Sequence, residues 1–134
     1  MPATTPLVSA VDFVVMPTDD FDASVAFYGE VLGLPLVARY GQHPGAEFQA
    51  GNLTISIMAN EAFGQTFAPN SMPIALRVED VAAAREHLQG LGVEFVTDVF
   101  DSGVCHQAIF KDPAGNPISL HHRYAPRTPL TEAG

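Results

Sequence analysis

The chain of 134 residues and 14.3 kDa is 47% hydrophobic, enough apolar material for a core, so a disordered chain is excluded and one domain is expected from the length. Fifteen acidic against six basic residues give a net charge of −9, and the only lysine is Lys111. A basic surface for nucleic acid phosphates or anionic lipid is therefore missing, and a neutral or cationic small molecule is the better-matched guest.

Residues 1–9 read as an N-terminal extension. Residues 11–20 (VDFVVMPTDD) form a short apolar strand running into a helix start, with Asp20 placed to cap the first turn. Phe21, Val25, Tyr28 and Leu32 follow at spacings of 4, 3 and 4, one face of an amphipathic helix of about three turns, closed by Gly33. The period then changes from 3.6 to 2 over residues 34–40, 46–49 and 53–58, which read as three strands joined by turns at 41–45 and 51–52.

The same order recurs. Residues 72–80 (MPIALRVED) again lead a strand into a capping Asp80, sixty positions after Asp20 (80 minus 20). Val81, Ala84, Leu88 and Leu91 repeat the helical face and Gly92 closes it; strands are expected at 93–96, 104–110 and 117–121, with a turn at 112–117. Residues 125–134, with Pro126 and Pro129, read as a flexible or partner-clasping tail. The fold class is α+β, built as two tandem βαβββ modules at about 10–66 and 72–124.

Two segments carry a resemblance. Residues 27–34 (FYGEVLGL) are similar to the "FY…vLGl" helix end, and residues 110–120 (FKDPAGNPISL) to the "f.DPdGn.iel" hairpin, of the vicinal oxygen chelate superfamily. That family contains glyoxalase I, extradiol dioxygenases, fosfomycin resistance enzymes and bleomycin resistance proteins. The resemblance spans about residues 10–124 as a single domain, and implies that the two modules form a half-open barrel around a cavity.

In metal-dependent members one donor from each of four strands meets a divalent ion. Carried onto this chain, those positions are Phe13, Ser56, Pro73 and Ser119. Phenylalanine and proline side chains have no donor atom, and a neutral serine hydroxyl is a poor ligand beside imidazole or carboxylate. Sliding the alignment by one residue offers Asp12, Ile55, Met72 and Ile118, or Val14, Ile57, Ile74 and Leu120, and restores no four-donor set. No family-type metal cofactor is expected.

The five histidines supply no obvious substitute. His43 and His87 sit where exposure is the ordinary expectation, and the adjacent pairs Cys105/His106 and His121/His122 point to opposite faces while their strands last. Ser119 and His121 share a face, and His106 joins them if its strand register allows. These three are the catalytic candidates if there is chemistry, with one histidine as general base; the plainer reading is a set of satisfied strand-end residues. Arg77 shares a face with Pro73 and can grip a carboxylate, phosphate or carbonyl group, or else pair with one of the many acidic side chains. Phe13, Phe48, Met58 and Phe110 are candidates for an apolar wall, Phe13 foremost; an aromatic residue in a strand is otherwise simply core.

Cys105 stands alone, which excludes an internal disulfide and points to a reducing compartment, and the first residues show no signal-peptide pattern. A cytoplasmic location is expected. The functional expectation is a metal-free protein of the bleomycin-resistance type. It would sequester an apolar or aromatic small molecule without altering it, through Phe13, Ser56, Met58, Pro73, Arg77, Ser119 and His121, and it would be a homodimer. The alternative is a lyase, isomerase or dioxygenase with a displaced metal or none.

Overall fold

The computed structural model describes residues 5–127. The chain divides into two compact units between Ala68 and Pro69, and each carries one βαβββ module, as the repeat implies. The expected tail lies mostly outside the described residues. Among the described residues, no helix is long and apolar enough to cross a membrane.

In the first unit β1 (Val14–Thr18) leads into α1 (Phe21–Ala26), followed by β2 (Leu36–Arg39), β3 (Gly45–Ala50) and β4 (Leu53–Ala59). Their order across the sheet is β1-β4-β3-β2, with β1 parallel to β4 and the other neighbours antiparallel. Asp20 caps α1 as predicted, its Oδ1 accepting from the Ala23 amide at 3.2 Å. The helix is not uniform, however. Residues Phe27–Val31 widen into a π-helical turn, in which the Leu32 amide donates to the Phe27 carbonyl at 2.9 Å. Phe27 and Tyr28 are both buried, three and four residues after buried Ser24 on one face of the helix. Gly33 at φ 71° then ends the helix, as a left-handed closing residue should.

Strand alternation sends Met16, Phe48, Ile55 and Ile57 to one side of this sheet, all essentially buried. Tyr28 lies on that side, its ring centroid 6.1 Å from that of Phe48. Phe48 is thus core beneath the helix and does not belong to an apolar ligand wall. Each such side chain stabilises the unit by about 1.5–3 kcal/mol of transfer free energy.

The second unit runs β5 (Ile74–Arg77), α2 (Val81–Gly90), β6 (Phe100–Asp101), β7 (Cys105–Lys111) and β8 (Pro117–Arg123), ordered β5-β8-β7-β6. Asp80 caps α2, accepting from the Ala83 amide at 3.0 Å. Val81 and Leu88 are buried as expected, but Leu91 lies past the helix end and is half exposed. Phe110, Ile118, Leu120 and Ala108 form the helix-side core, with the Phe95 ring 5.2 Å from that of Phe110. Phe110 is therefore core, like Phe48.

The strand expected at 93–96 does not form. Phe95 makes one isolated bridge to Phe110, and the outer strand is the two-residue β6. Side chains take over the ladder here: Thr97 Oγ1 accepts from the Ile109 amide at 2.9 Å, while Arg85 donates to the Thr97 carbonyl and pairs with Asp98 at 3.1 Å. A hydroxyl that replaces a backbone partner in this way competes with regular strand pairing.

Candidate functional site

The side of each sheet turned away from its helix carries the polar residues. In the first sheet Val15 is in register with Ser56, and Ser56 with Glu47. In the second, Ala75 is in register with Ser119, and Ser119 with Ile109. The repeat thus holds to the residue, with one buried serine at the same place in each parallel strand pair. Phe13 and Pro73 fall one residue ahead of β1 and β5, two residues short of the serine rows, and Phe13 is 43% exposed.

Ser56 is fully buried and hydrogen-bonded. Its Oγ lies 2.7 Å from the Tyr40 hydroxyl, which donates to Glu47 Oε2 at 2.8 Å. The phenol has one proton and the carboxylate takes it, so the serine must donate to the phenol oxygen. The result is a directed chain from Ser56 through Tyr40 to Glu47. Burial raises the Tyr40 pKa above the ordinary phenol range; the Ser56 bond opposes this and the nearby Glu47 carboxylate adds to it. Gly45 makes the arrangement possible, because a Cβ there would overlap the Tyr40 ring. Met58 lies on the same side, opposite Gly45.

Ser119 is also buried, but its Oγ lies 3.0 Å from Gln107 Oε1 and 3.2 Å from the Leu120 carbonyl oxygen. A neutral amide ends this chain where a carboxylate ends the other. Beside it, Arg77 is in register with His121, and His121 with Gln107. Arg123 stands two residues further along β8, on the same side.

Ser119, His121 and Arg77 are therefore brought together, and Ser56 and Met58 share a face of their own sheet. His106 does not join Ser119 and His121. It is in register with His122, one residue out of step, and a one-residue step reverses the face. His106 and His122 instead line an open depression of about 400 Å³ on the α2 side, together with Glu79, Asp80, Val81, Ala82 and Val99. His122 Nδ1 is 3.1 Å from the Val78 carbonyl oxygen, and His106 Nε2 is 3.6 Å from Asp101 Oδ2. The Gly103 amide, then the Tyr124 hydroxyl, hold the Asp101 carboxyl below the usual carboxylate range, with His106 a smaller contributor. His43 and His87 are exposed.

Tyr40, Glu47, Gln107 and Arg123 are site residues that the sequence reading did not single out. Strand alternation placed Glu47, Gln107 and Arg123 on a face once the register was known; nothing in the sequence signalled that Tyr40 folds back over β3. The serines do not suit a divalent ion, since both hydroxyls are neutral and engaged within the protein. Among the described residues, no three His, Cys, Asp or Glu side chains gather closely enough to hold a metal.

The profile of the Glyoxalase/Bleomycin resistance protein/Dioxygenase superfamily matches residues 10–120. Among solved structures, the antibiotic binding protein TnmS3 from Streptomyces sp. CB03234 is similar over 89% of this chain and 99% of its own, with 27% identity and a TM-score of 0.76. A glyoxalase/bleomycin resistance protein/dioxygenase from Nocardioides shares 19% identity over 95% of this chain and 91% of its own, with a TM-score of 0.72. A lactoylglutathione lyase from Agrobacterium tumefaciens shares 20% identity over 87% and 95%, with a TM-score of 0.70. The last two likenesses concern the fold.

Proposed function

The chain belongs to the Glyoxalase/Bleomycin resistance protein/Dioxygenase superfamily, and on that premise we propose that it binds and sequesters an apolar or aromatic small molecule without a metal and without altering it. The observation that carries this reading is the state of the two serines. Each occupies a position where metal-dependent relatives of this fold place a ligand, and each is buried and bonded internally, Ser56 to Tyr40 and Ser119 to Gln107. A hydroxyl so engaged is a poor metal donor, whereas on the first sheet a satisfied Ser56 beside Met58 and its register partner Val15 suits a largely apolar guest. The likeness to an antibiotic binding protein at 27% identity points the same way. We take the active form to be a homodimer, as members of the sequestering branch are.

Protein purified without chelators should contain well under one equivalent of zinc, nickel, iron or manganese. It should bind the neutral fluorophore 9-anthracenemethanol saturably and release it unchanged, as read by mass spectrometry. Stoichiometric metal that is lost on His121→Ala, or a chemically altered product, would overturn the reading in favour of a lyase, isomerase or dioxygenase.

A further inference from the structure

The chain is strongly acidic, yet its second sheet collects positive charge on the side away from α2. Of six Lys and Arg residues in the sequence, Arg77 and Arg123 lie on this one face with His121 between them. Arg77 and His121 are register partners on adjacent parallel strands, about 4.8 Å apart, and Arg123 follows His121 along β8 by two residues, about 6.6 Å.

Two of the other cations have partners. Arg85 pairs with Asp98, and the Arg39 guanidinium lies 5.9 Å from the centre of the Phe21 ring. Arg77 and Arg123 form no ion pair with any described residue. Arg123 Nε is moreover buried with no hydrogen-bond acceptor among the described residues. A buried guanidinium N–H without an acceptor is costly, by about as much as a hydrogen bond to a charged group contributes. The nearest acidic residues along the chain do not supply one: Glu79 and Asp80 line the depression on the opposite, α2 side, and Asp80 is engaged in capping. Across β7, Arg123 faces Cys105 and His121 faces Gln107, and neither is a carboxylate.

The geometry points to an oxyanion-recognition site formed by Arg77, His121 and Arg123, at which the sequestered molecule places a carboxylate or a chemically equivalent anionic oxygen. Arginine suits this role because its planar fork of donors matches two oxygens at once. His121 supplies a further ring nitrogen, and Gln107, opposite it in register, a neutral amide. The inference rests on the small-molecule-binding reading above and adds the charge of the guest. It also reverses the expectation from net charge, which favoured a neutral or cationic molecule, because a local face and not the total decides what docks there.

Three tricyclic probes of nearly equal shape separate the two ideas: anthracene-9-carboxylate, 9-anthracenemethanol and 9-aminoacridine, which is cationic at neutral pH. Fluorescence titration should show the carboxylate bound at least about tenfold more tightly than the alcohol, and the acridine weakest. Arg77→Gln and Arg123→Gln should each bring the ratio of carboxylate to alcohol affinity close to one. Arg39→Gln, which removes the same charge from the other sheet, should leave that ratio as it is. Arg77 is exposed, so its replacement tests the site even if the Arg123 variant folds poorly. Saturable binding of the alcohol with no preference for the carboxylate, or a preference that survives both substitutions, overturns this inference and leaves the sequestration reading standing. Binding of none of the three overturns both.

Discussion

The two modules agree in the register of their three inner strands and disagree in what surrounds the equivalent serines. Val15 opposes Ser56 as Ala75 opposes Ser119. Yet the first serine ends, through Tyr40, on the carboxylate of Glu47, and the second on the neutral amide of Gln107. The face of the first sheet bears a carboxylate; that of the second bears two arginines and a histidine. A repeat therefore supplies a scaffold with matched positions, and a few side chains on the helix-free faces give each copy a different chemistry.

The hairpins differ more than the serines do, and the largest effect is expected there. In the second module Asp112 Oδ1 accepts from the amides of Ala114 and Asn116, and its Oδ2 accepts from Asn116 Nδ2 at 2.8 Å. Asn116 Oδ1 in turn accepts from the Asn70 amide at 2.8 Å, and both Asp112 and Asn116 are buried. Asn116→Ala removes one hydrogen bond from the buried Asp112 carboxylate and one from the half-buried Asn70 amide, and should cost about 2–4 kcal/mol in urea unfolding. The matching hairpin of the first module turns on Gly51 and exposed Asn52, where Asn52→Ala should change stability by less than about 0.5 kcal/mol. Equal losses would break the contrast.

The serine networks come next. Tyr40→Phe strands the buried Ser56 hydroxyl and removes the donor to Glu47, for about 1–3 kcal/mol. Gln107→Ala leaves Ser119 its Leu120 carbonyl and should cost less than about 1 kcal/mol. The Tyr40 contribution also has a pH signature. Because its pKa is raised in the folded state, the stabilisation is complete below the ordinary phenol pKa and is lost as pH rises through the folded value. The stability gap between wild type and Tyr40→Phe should therefore narrow in alkaline unfolding experiments and remain constant from pH 6 to 9.

The smallest effect is one in which the modules should not differ. Asp20 and Asp80 cap their helices with the same bond to the third residue on, so Asp20→Ala and Asp80→Ala should each cost about 1 kcal/mol in thermal unfolding. A large inequality would show that the π-helical turn makes α1 depend on its cap differently from α2.

What could be read in advance was what depends on near neighbours in sequence. The caps at Asp20 and Asp80, the closing glycines Gly33 and Gly92, and the 112–117 turn are each set within a few residues, and all are found where the pattern puts them. The outer strand of the second sheet was misplaced because Thr97 replaces a ladder bond with its hydroxyl, an outcome of tertiary contact with Ile109. The same limit applies to the site. Alternation alone puts Ser119 with His121 and Arg77 with Pro73, whereas setting Arg77 beside His121 takes the β5–β8 register and excluding His106 the β7–β8 register. Tyr40 joins residues 7 and 16 positions away, and the orphaned Arg123 nitrogen is a fact of packing.

Position 45 has a consequence for how this protein can change. Any side chain there expels the Tyr40 ring, and with it the acceptor that occupies Ser56. One codon alteration would thus uncouple a serine from a carboxylate and leave both turned toward whatever the sheet holds. A lineage seeking a new guest, or a screen for altered selectivity, has in Gly45 a switch that acts through the Tyr40 ring.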